Sequence, residues 1–473
     1  MTDRVDIPPG TATPPTGERP AGEARNQFGL PAAMALIVGS IIGVGIFNLP
    51  TSLAFYGPIT LASMALTTVG ALALALLFAA LSRRLPADGG PYAYARVAFG
   101  NRLGFANAWS YWITAWAGNA AIAVGWVLYV EVFINKDHNR LFSVLLVLVG
   151  LWIPAAINLS GVKNMGSVQV ITTVVKFVVL AFMSTVGLFY IESGNFTPWN
   201  VSGESTIAAI GGGMAIALFS YLGVETAAVA AAKVRDPDRN VPRATILGTI
   251  ATAVVYMLSL TVVFGILPAS QLAESSAPFS DAVNSMFGGT WAGYVMATAV
   301  IISGFGALNG WTMICAEMPL AAAKDGLFPE SFKRMSRNGV PAFGIVASTL
   351  LASIAMIINY LGSGGATVFT TLVLMTGITA AIPYGFSALA QLKWRLADHR
   401  TMQTPRFVRD VVVAGLALVF SILFIWYSRN TGNSFWVYWA PFLLAAGALL
   451  LGIPVYLAQR GHLTPAPPVP PYR

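Results

Sequence analysis

The chain alternates long apolar stretches with short polar connections. About twelve of these stretches are long enough to cross the ~30 Å hydrocarbon core of a bilayer as helices. They lie at about 29–54, 60–81, 103–134, 142–159, 166–190, 205–231, 244–267, 288–322, 341–361, 366–391, 411–428 and 436–458. The pattern predicts an all-α integral membrane protein whose surroundings are the lipid bilayer.

Glycines interrupt the first stretch. Gly39, Gly43 and Gly45 all fall within 39–47, in the middle of this apolar stretch. Unpaired backbone groups are costly in hydrocarbon, so an unwound helix survives at mid-membrane only where protein, an ion or a ligand satisfies those groups. The interruption therefore predicts a polar cavity and a substrate site.

A second interruption is predicted in the sixth stretch. There, three glycines at 211–213 are followed by the sequence Phe-Ser-Tyr-Leu-Gly-Val-Glu at 219–225. One broken helix in each half of a chain is a feature of transporters. The spacing predicts two inverted repeats of five helices, at about 29–190 and 205–391. Together they form a transport core at 29–391, and two extra helices follow at 392–460.

Composition and charge support a membrane protein and give its orientation. The 473 residues are 56% hydrophobic and 10% charged, with a mean hydropathy of +0.70. Of the 27 Lys and Arg residues, three (Lys136, Arg140 and Arg429) fall on one side and Lys176 lies within a helix, whereas the remaining 23 fall on the other side. The positive-inside rule then predicts cytoplasmic termini in a cell inner membrane. Because the net charge of +8 follows this topology, it argues against nucleic acid as a binding partner.

The two ends of the chain and its rare residue types add little chemistry. Residues 1–28 are rich in Pro, Gly and Thr and predict a disordered cytoplasmic tail, and 461–473 predict a second tail. The single cysteine, Cys315, excludes an internal disulfide, and the three histidines lie in connections or tails. We therefore expect no metal site and no cofactor.

Several motifs, taken in order, resemble the amino acid–polyamine–organocation transporters, and within them the basic amino acid/polyamine antiporters. The resemblance covers about 28–460. It rests on 39–47, 89–96, Tyr111-Trp112, Gly118-Asn119, 223–227, 236–242, Gly310-Trp311 and 324–329. It implies a leucine-transporter-type fold in which helices 1 and 6 unwind around a central site lined by helices 3, 8 and 10. A homodimer is implied by the resemblance alone.

The broken helices are suited to the two charged ends of an amino acid. The outer half of helix 1 begins at 43–45, where free N–H groups and the positive end of the helix dipole favour a carboxylate. The outer half of helix 6 ends near 219–222 and offers carbonyls to an ammonium group. With the resemblance, the predicted substrate-binding residues are Ser40, Ile41, Gly43, Val44, Gly45, Thr114, Ala115, Asn119, Ile122, Phe219, Ser220, Leu222, Trp311 and Thr376.

Three further residues are predicted to act in gating or proton coupling. Glu225 and Lys176 are ionisable groups deep within helices, where charge is costly and faces the protein interior. The resemblance implies that Glu225 takes part in release, that the ammonium of Lys176 stands where sodium-coupled relatives bind sodium, and that Tyr111 belongs to the same machinery. The structural alternatives are an ion pair for Glu225 and a packing role for Lys176.

The predicted function is secondary transport by alternating access. The first choice is exchange of a basic amino acid for its decarboxylated amine. The alternative is a proton-coupled or exchange transporter of neutral amino acids, which Lys176, Phe219 and Ser40 favour. An enzyme is not predicted, because the helices carry no catalytic grouping of His, Cys, Asp or Glu.

Overall fold

The computed structural model describes residues 29–85, 89–161, 165–226, 234–399, 403–431 and 434–469, and every long regular element among them is helical. The predicted N-terminal tail at 1–28, the basic residues Lys163 and Lys233, and the last four residues lie outside the described part.

The described residues up to Thr226 contain eight α-helices of more than one turn. They are α1 (Leu30–Ile41), α2 (Gly45–Ala54), α3 (Thr60–Arg84), α4 (Pro91–Phe99), α5 (Asn101–Ile134), α6 (Arg140–Leu159), α7 (Met165–Thr185) and α8 (Thr206–Ala217). Two short 3-10 helices, Val186–Tyr190 and Ser193–Phe196, follow α7, and a third, Leu218–Tyr221, continues α8.

Nine α-helices follow in the part of the second half that the structure describes. They are α9 (Pro237–Ile266), α10 (Ala269–Glu274), α11 (Pro278–Phe287), α12 (Trp291–Lys324), α13 (Ala342–Tyr360), α14 (Gly365–Asp398), α15 (Thr404–Tyr427), α16 (Phe435–Leu450) and α17 (Gly452–Gln459). The 3-10 helix Glu330–Lys333 joins α12 to α13.

Eleven helices in the described residues are long and apolar enough to cross a membrane, and the shorter apolar helix Thr206–Tyr221 belongs to the sixth predicted stretch. Large apolar side chains such as Leu141, Phe189 and Trp436 are exposed on the outside of the bundle, as expected where helices face lipid. The predicted all-α membrane fold with about twelve spanning helices is confirmed. The inverted repeat and the domain limits stay predictions.

The long helix α5 forms the centre of the bundle, and the long helices α12 and α14 both pack directly on it. The first broken helix reaches this centre through α1, which packs on α12. Helix α1 also packs on α7 and α9, whereas α2 packs on α8, α10 and α11. The interruption between α1 and α2 is thereby buried inside the bundle, and Ile42 and Val44 are fully covered.

The segment after α17 returns to the bundle. The Thr464 hydroxyl donates to the carbonyl of Asp325 at 2.8 Å and accepts from the Arg96 guanidinium at 2.7 Å. Arg96 also pairs with the Asp325 carboxylate at 2.6 Å. The part of the predicted C-terminal tail around Thr464 is therefore bound to the ends of α4 and α12.

Candidate substrate site

Three residues, 42–44, interrupt the regular helix of the first apolar stretch. Ile42 has a ψ of 82°, so the hydrogen-bond ladder of α1 ends there, and α2 begins at Gly45. The last carbonyls of a helix have no partner within it. The end of α1 therefore presents acceptors inside the bundle.

Side chains from three other helices bind these carbonyls. The Lys176 ammonium donates to the carbonyl of Gly39 at 3.0 Å, the Trp311 indole to that of Ser40 at 3.3 Å, and the Tyr256 hydroxyl to that of Ile41 at 2.9 Å. The three donors lie on α7, α12 and α9. The break is therefore held from three sides, and Tyr256 is a contributor that the sequence did not indicate.

The second broken helix unwinds after its glycines. Residues 211–213 lie within α8, and the regular helix ends at Ala217, followed by the 3-10 turn 218–221 and an irregular segment up to Glu225. The expectation that these three glycines form part of the break is wrong. A Cβ on Gly212 would lie 2.1 Å from the Tyr56 hydroxyl, so the glycine permits close packing of α8 against the neighbouring segments.

The two interruptions touch each other at Gly223. This residue has a φ of +105°, a conformation that glycine adopts readily. A Cβ at this position would lie 2.9 Å from the carbonyl carbon of Ser40 and 3.0 Å from its Cβ. The backbone of the second break therefore lies directly against the end of α1.

A narrow cavity lies where the two breaks meet. Its volume of about 10 Å³ is close to what one water molecule needs. Ten residues line it: Ser40, Ile41, Gly43, Gly45, Gly118, Ile122, Phe219, Ser220, Leu222 and Trp311. Nine of them are predicted substrate-binding residues, and Gly118 on α5 is an addition that stood beside Asn119 in the sequence motif.

The Phe219 ring fills the space beside the start of α2. A Cβ on Gly45 would lie 2.8 Å from the Phe219 Cδ1 atom, which is closer than packed atoms approach. The ring also packs edge-on against Phe369 of α14, with centroids 6.0 Å apart. The cavity is thus nearly closed by an aromatic side chain, and a ligand larger than water needs Phe219 to move.

Five predicted residues do not line the cavity. Asn119 donates to the Thr312 hydroxyl at 3.2 Å, Thr114 to that of Thr379 at 3.0 Å, and Thr376 to the Leu372 carbonyl at 2.6 Å. The other two residues are Val44 and Ala115, and both are fully buried. All five lie in the packed shell around the site.

A carboxylate and two tyrosines form a buried network next to the second break. The Tyr111 hydroxyl donates to Glu225 Oε1 and the Tyr384 hydroxyl to Glu225 Oε2, each at 2.7 Å. All three side chains are at most 1% exposed. Tyr384 lies on α14 and was not predicted, because no motif links it to the other two residues.

The chain matches the family model described as amino acid permease over residues 28–449. It belongs to the amino acid permease family. This permease is therefore a multi-pass membrane protein, and the two interrupted helices of its fold agree with the resemblance found in its motifs.

Curated relatives align with most of this permease. It is similar to the arginine/ornithine antiporter of Pseudomonas aeruginosa, with 30% identity over 90% of this chain and 91% of that protein. It is also similar to the putrescine transporter PotE of Haemophilus influenzae, with 30% identity over 84% of this chain and 91% of the relative. The cadaverine/lysine antiporter of Escherichia coli shares 27% identity over 78% of this chain and 84% of its own.

Lys176 gives this permease a buried amine at the first break. Its side chain is 0% exposed, and its contact to Gly39 joins α7 to the last turn of α1. When protonated, this amine is a cation at the negative end of a helix dipole, which stabilises both. No group of three or more His, Cys, Asp or Glu in the described residues is arranged as a metal site.

Proposed function

We propose that this permease exchanges a basic amino acid for its decarboxylated amine by alternating access, in a cell inner membrane with both termini in the cytoplasm. The observation that carries the proposal is the meeting of the two broken helices at one cavity, where Gly223 lies against Ser40. The names of the three relatives, two antiporters and a putrescine transporter, support the substrate class.

The carboxylate of the amino acid binds at the start of α2. Val44 is the residue before the first turn, and no side chain among the described residues caps that turn. Its first N–H groups are therefore available to an anion, and the helix dipole favours one there. The α-ammonium group lies at the other break, where α8 ends and its last carbonyls form the negative end of the helix dipole.

The side chain of the substrate lies between the rings of Phe219 and Trp311. Both line the cavity, and an aromatic face attracts an ammonium or guanidinium group. Phe219 moves to admit the ligand and then covers it. Ser40, Ile41, Gly43, Gly45, Ile122, Ser220 and Leu222 complete the site.

Protons are coupled to exchange through Glu225, Tyr111 and Lys176. Glu225 is buried beside the second break with its two tyrosine donors, and Lys176 is buried beside the first. Each group lies where a change in its charge alters the hydrogen bonds that hold one of the two breaks. A change of protonation at either group thereby favours one conformation of the carrier.

A second candidate function is transport of neutral amino acids. The ten residues that line the cavity include no charged side chain, so nothing there pairs directly with a second cationic group. Competition for uptake into proteoliposomes separates the two functions. Arginine, lysine and ornithine should compete strongly and alanine or leucine weakly, and the reverse order would establish the neutral substrate class.

A further inference from the structure

A second cavity opens at the end of the bundle where α5 and α13 end and α14 begins. Its volume of about 270 Å³ is close to the lower limit of small-molecule pockets, roughly 300 Å³. Its walls come from the end of α5, the start of α6, the segment between α10 and α11, and the first turn of α14. None of its lining residues belongs to the cavity at the two breaks.

The first turn of α14 faces this cavity without a cap. Residues 364–367 line it, and Gly364, which precedes the helix, provides no side-chain hydrogen bond. The first N–H groups of a helix have no acceptor within it, and the positive end of the dipole of this 34-residue helix lies there. The wall is therefore electrically suited to an anion.

Tyr360 adds a buried donor to the same wall. Its side chain is 4% exposed and lines the cavity, but its hydroxyl has no hydrogen-bond partner among the described residues. A Cβ added to Gly365 would lie 3.2 Å from that hydroxyl, so the hydroxyl lies at the first turn of α14. A buried hydroxyl without a partner is costly, and a bound acceptor removes the cost.

Other walls of the cavity carry charges of both signs. Arg140 from α6 adds a positive charge, whereas Glu131 and Glu274 add negative charges from α5 and α10. Glu131 is 2% exposed and pairs with His138 at 2.6 Å. A ligand with a carboxylate at one end and an ammonium group at the other matches this distribution.

We propose that the second cavity binds a free amino acid through its carboxylate, which accepts hydrogen bonds from the Tyr360 hydroxyl and from the first N–H groups of α14. The ammonium group of the ligand lies toward Glu131 and Glu274. A decarboxylated amine lacks the group that this wall recognises, so the cavity selects the amino acid over the amine. The proposal goes beyond the exchange at the central site, since binding here requires no transport.

The second cavity is mechanically joined to the central site. Helix α14 carries both the anion-binding turn and Phe369, whose ring packs against Phe219. The Thr51 hydroxyl of α2 donates to the carbonyl of Ser275, which lines the second cavity, at 2.8 Å. A ligand held here therefore contacts the helix that packs on Phe219 and the segment that is hydrogen-bonded to α2.

The test measures binding by calorimetry on the purified full-length protein in lipid nanodiscs. The Gly45→Val variant blocks the central site, because its side chain collides with Phe219. In this variant we expect L-ornithine to bind and putrescine not to bind. Adding Tyr360→Phe should weaken L-ornithine binding by at least about tenfold, as expected for a hydrogen bond to a charged group.

Tyr94→Phe is the matched control, because Tyr94 is also buried, its hydroxyl has no partner among the described residues, and it lies outside both cavities. This control should bind L-ornithine normally. The proposal is overturned if folded Gly45→Val protein fails to bind L-ornithine, binds putrescine equally well, or is insensitive to Tyr360→Phe. Displacement by acetate as effective as by L-ornithine would likewise overturn the assignment to an amino acid.

A second measurement covers the case in which Gly45→Val does not fold. Tyr360→Phe alone should weaken one of the two L-ornithine sites of the wild-type protein at least about tenfold and leave putrescine binding unchanged, because the amine has no carboxylate. L-ornithine binding that is identical in wild type and variant overturns the proposal. A wild-type protein that binds L-ornithine without exchanging it would count against the proposed function and not against the second cavity.

Discussion

Gly45→Ala should close the substrate site with a single methyl group. The added Cβ would lie 2.8 Å from Cδ1 and 3.0 Å from Cε1 of Phe219, whereas ordinary van der Waals contact begins near 3.4 Å. The Phe219 ring must therefore shift or change rotamer. While the ring covers the site, Phe369 on α14 packs against it, so the covering position cannot absorb the added methyl group without strain.

The expected loss follows from the cost of overpacking. Inserting a methyl group into a well-packed site costs about 1–3 kcal/mol, and each 1.4 kcal/mol is a factor of ten in affinity. We expect Gly45→Ala to weaken substrate binding by about fivefold to about a hundredfold. Gly377→Ala is the control, because Gly377 lies on α14 outside the cavity and its Cβ would meet nothing closer than 3.8 Å, and it should cost less than about fivefold.

The assay is equilibrium binding of labelled L-ornithine or L-arginine to purified protein that elutes as a single species. Thermal unfolding of the ligand-free variants measures, without any ligand, how much the overpacking at Gly45 lowers the stability of the protein. Phe219→Leu should recover part of the thermal stability lost in Gly45→Ala, since the smaller side chain yields space. Wild-type affinity in Gly45→Ala, or a larger loss in Gly377→Ala, would refute the close contact between Gly45 and Phe219.

The other predictions concern the aromatic and ionisable residues around the breaks. Trp311→Leu should weaken cationic substrates more than neutral ones, by about 1 kcal/mol or more for a desolvated cation–π contact, and equal losses would favour neutral substrates. Glu225→Gln should remove the pH dependence of transport, because an amide cannot titrate, and an unchanged pH profile between 5 and 8 would leave Glu225 as a structural acceptor for Tyr111 and Tyr384. Lys176→Met should slow exchange at least tenfold, because the Gly39 carbonyl loses its buried donor; exchange at the wild-type rate with sodium absent would make Lys176 a packing residue.

The spanning helices could be predicted because their signal is local. An apolar run of sufficient length must satisfy its backbone as a helix in lipid, so twelve runs predict twelve spans. The break at 42–44 was also local, since it falls between Gly39 and Gly45. The glycines at 211–213 misled because glycine serves close packing as readily as unwinding, and nothing in their neighbourhood distinguishes the two uses.

The contacts of the site could be predicted only in part. Most predicted residues on the broken segments, such as Ser40 and Phe219, line the cavity because the two breaks meet there, whereas Val44 is packed behind it. Residues on intact helices depend on helix rotation, and Asn119 and Thr114 turn toward Thr312 and Thr379 instead. Tyr384 lies 159 positions from Glu225, and such a pairing is a property of the packed bundle that no local pattern carries.

The measurement that tests the account most directly is trans-stimulation in proteoliposomes. Labelled L-ornithine is added to the medium outside vesicles that contain either putrescine or no amine. The same experiment is done with L-lysine and cadaverine and with L-arginine and agmatine. The account predicts rapid uptake in vesicles loaded with the matching amine and little uptake in unloaded vesicles. Uptake that is independent of the internal amine, or that occurs for neutral amino acids alone, would contradict exchange of a basic amino acid for its amine.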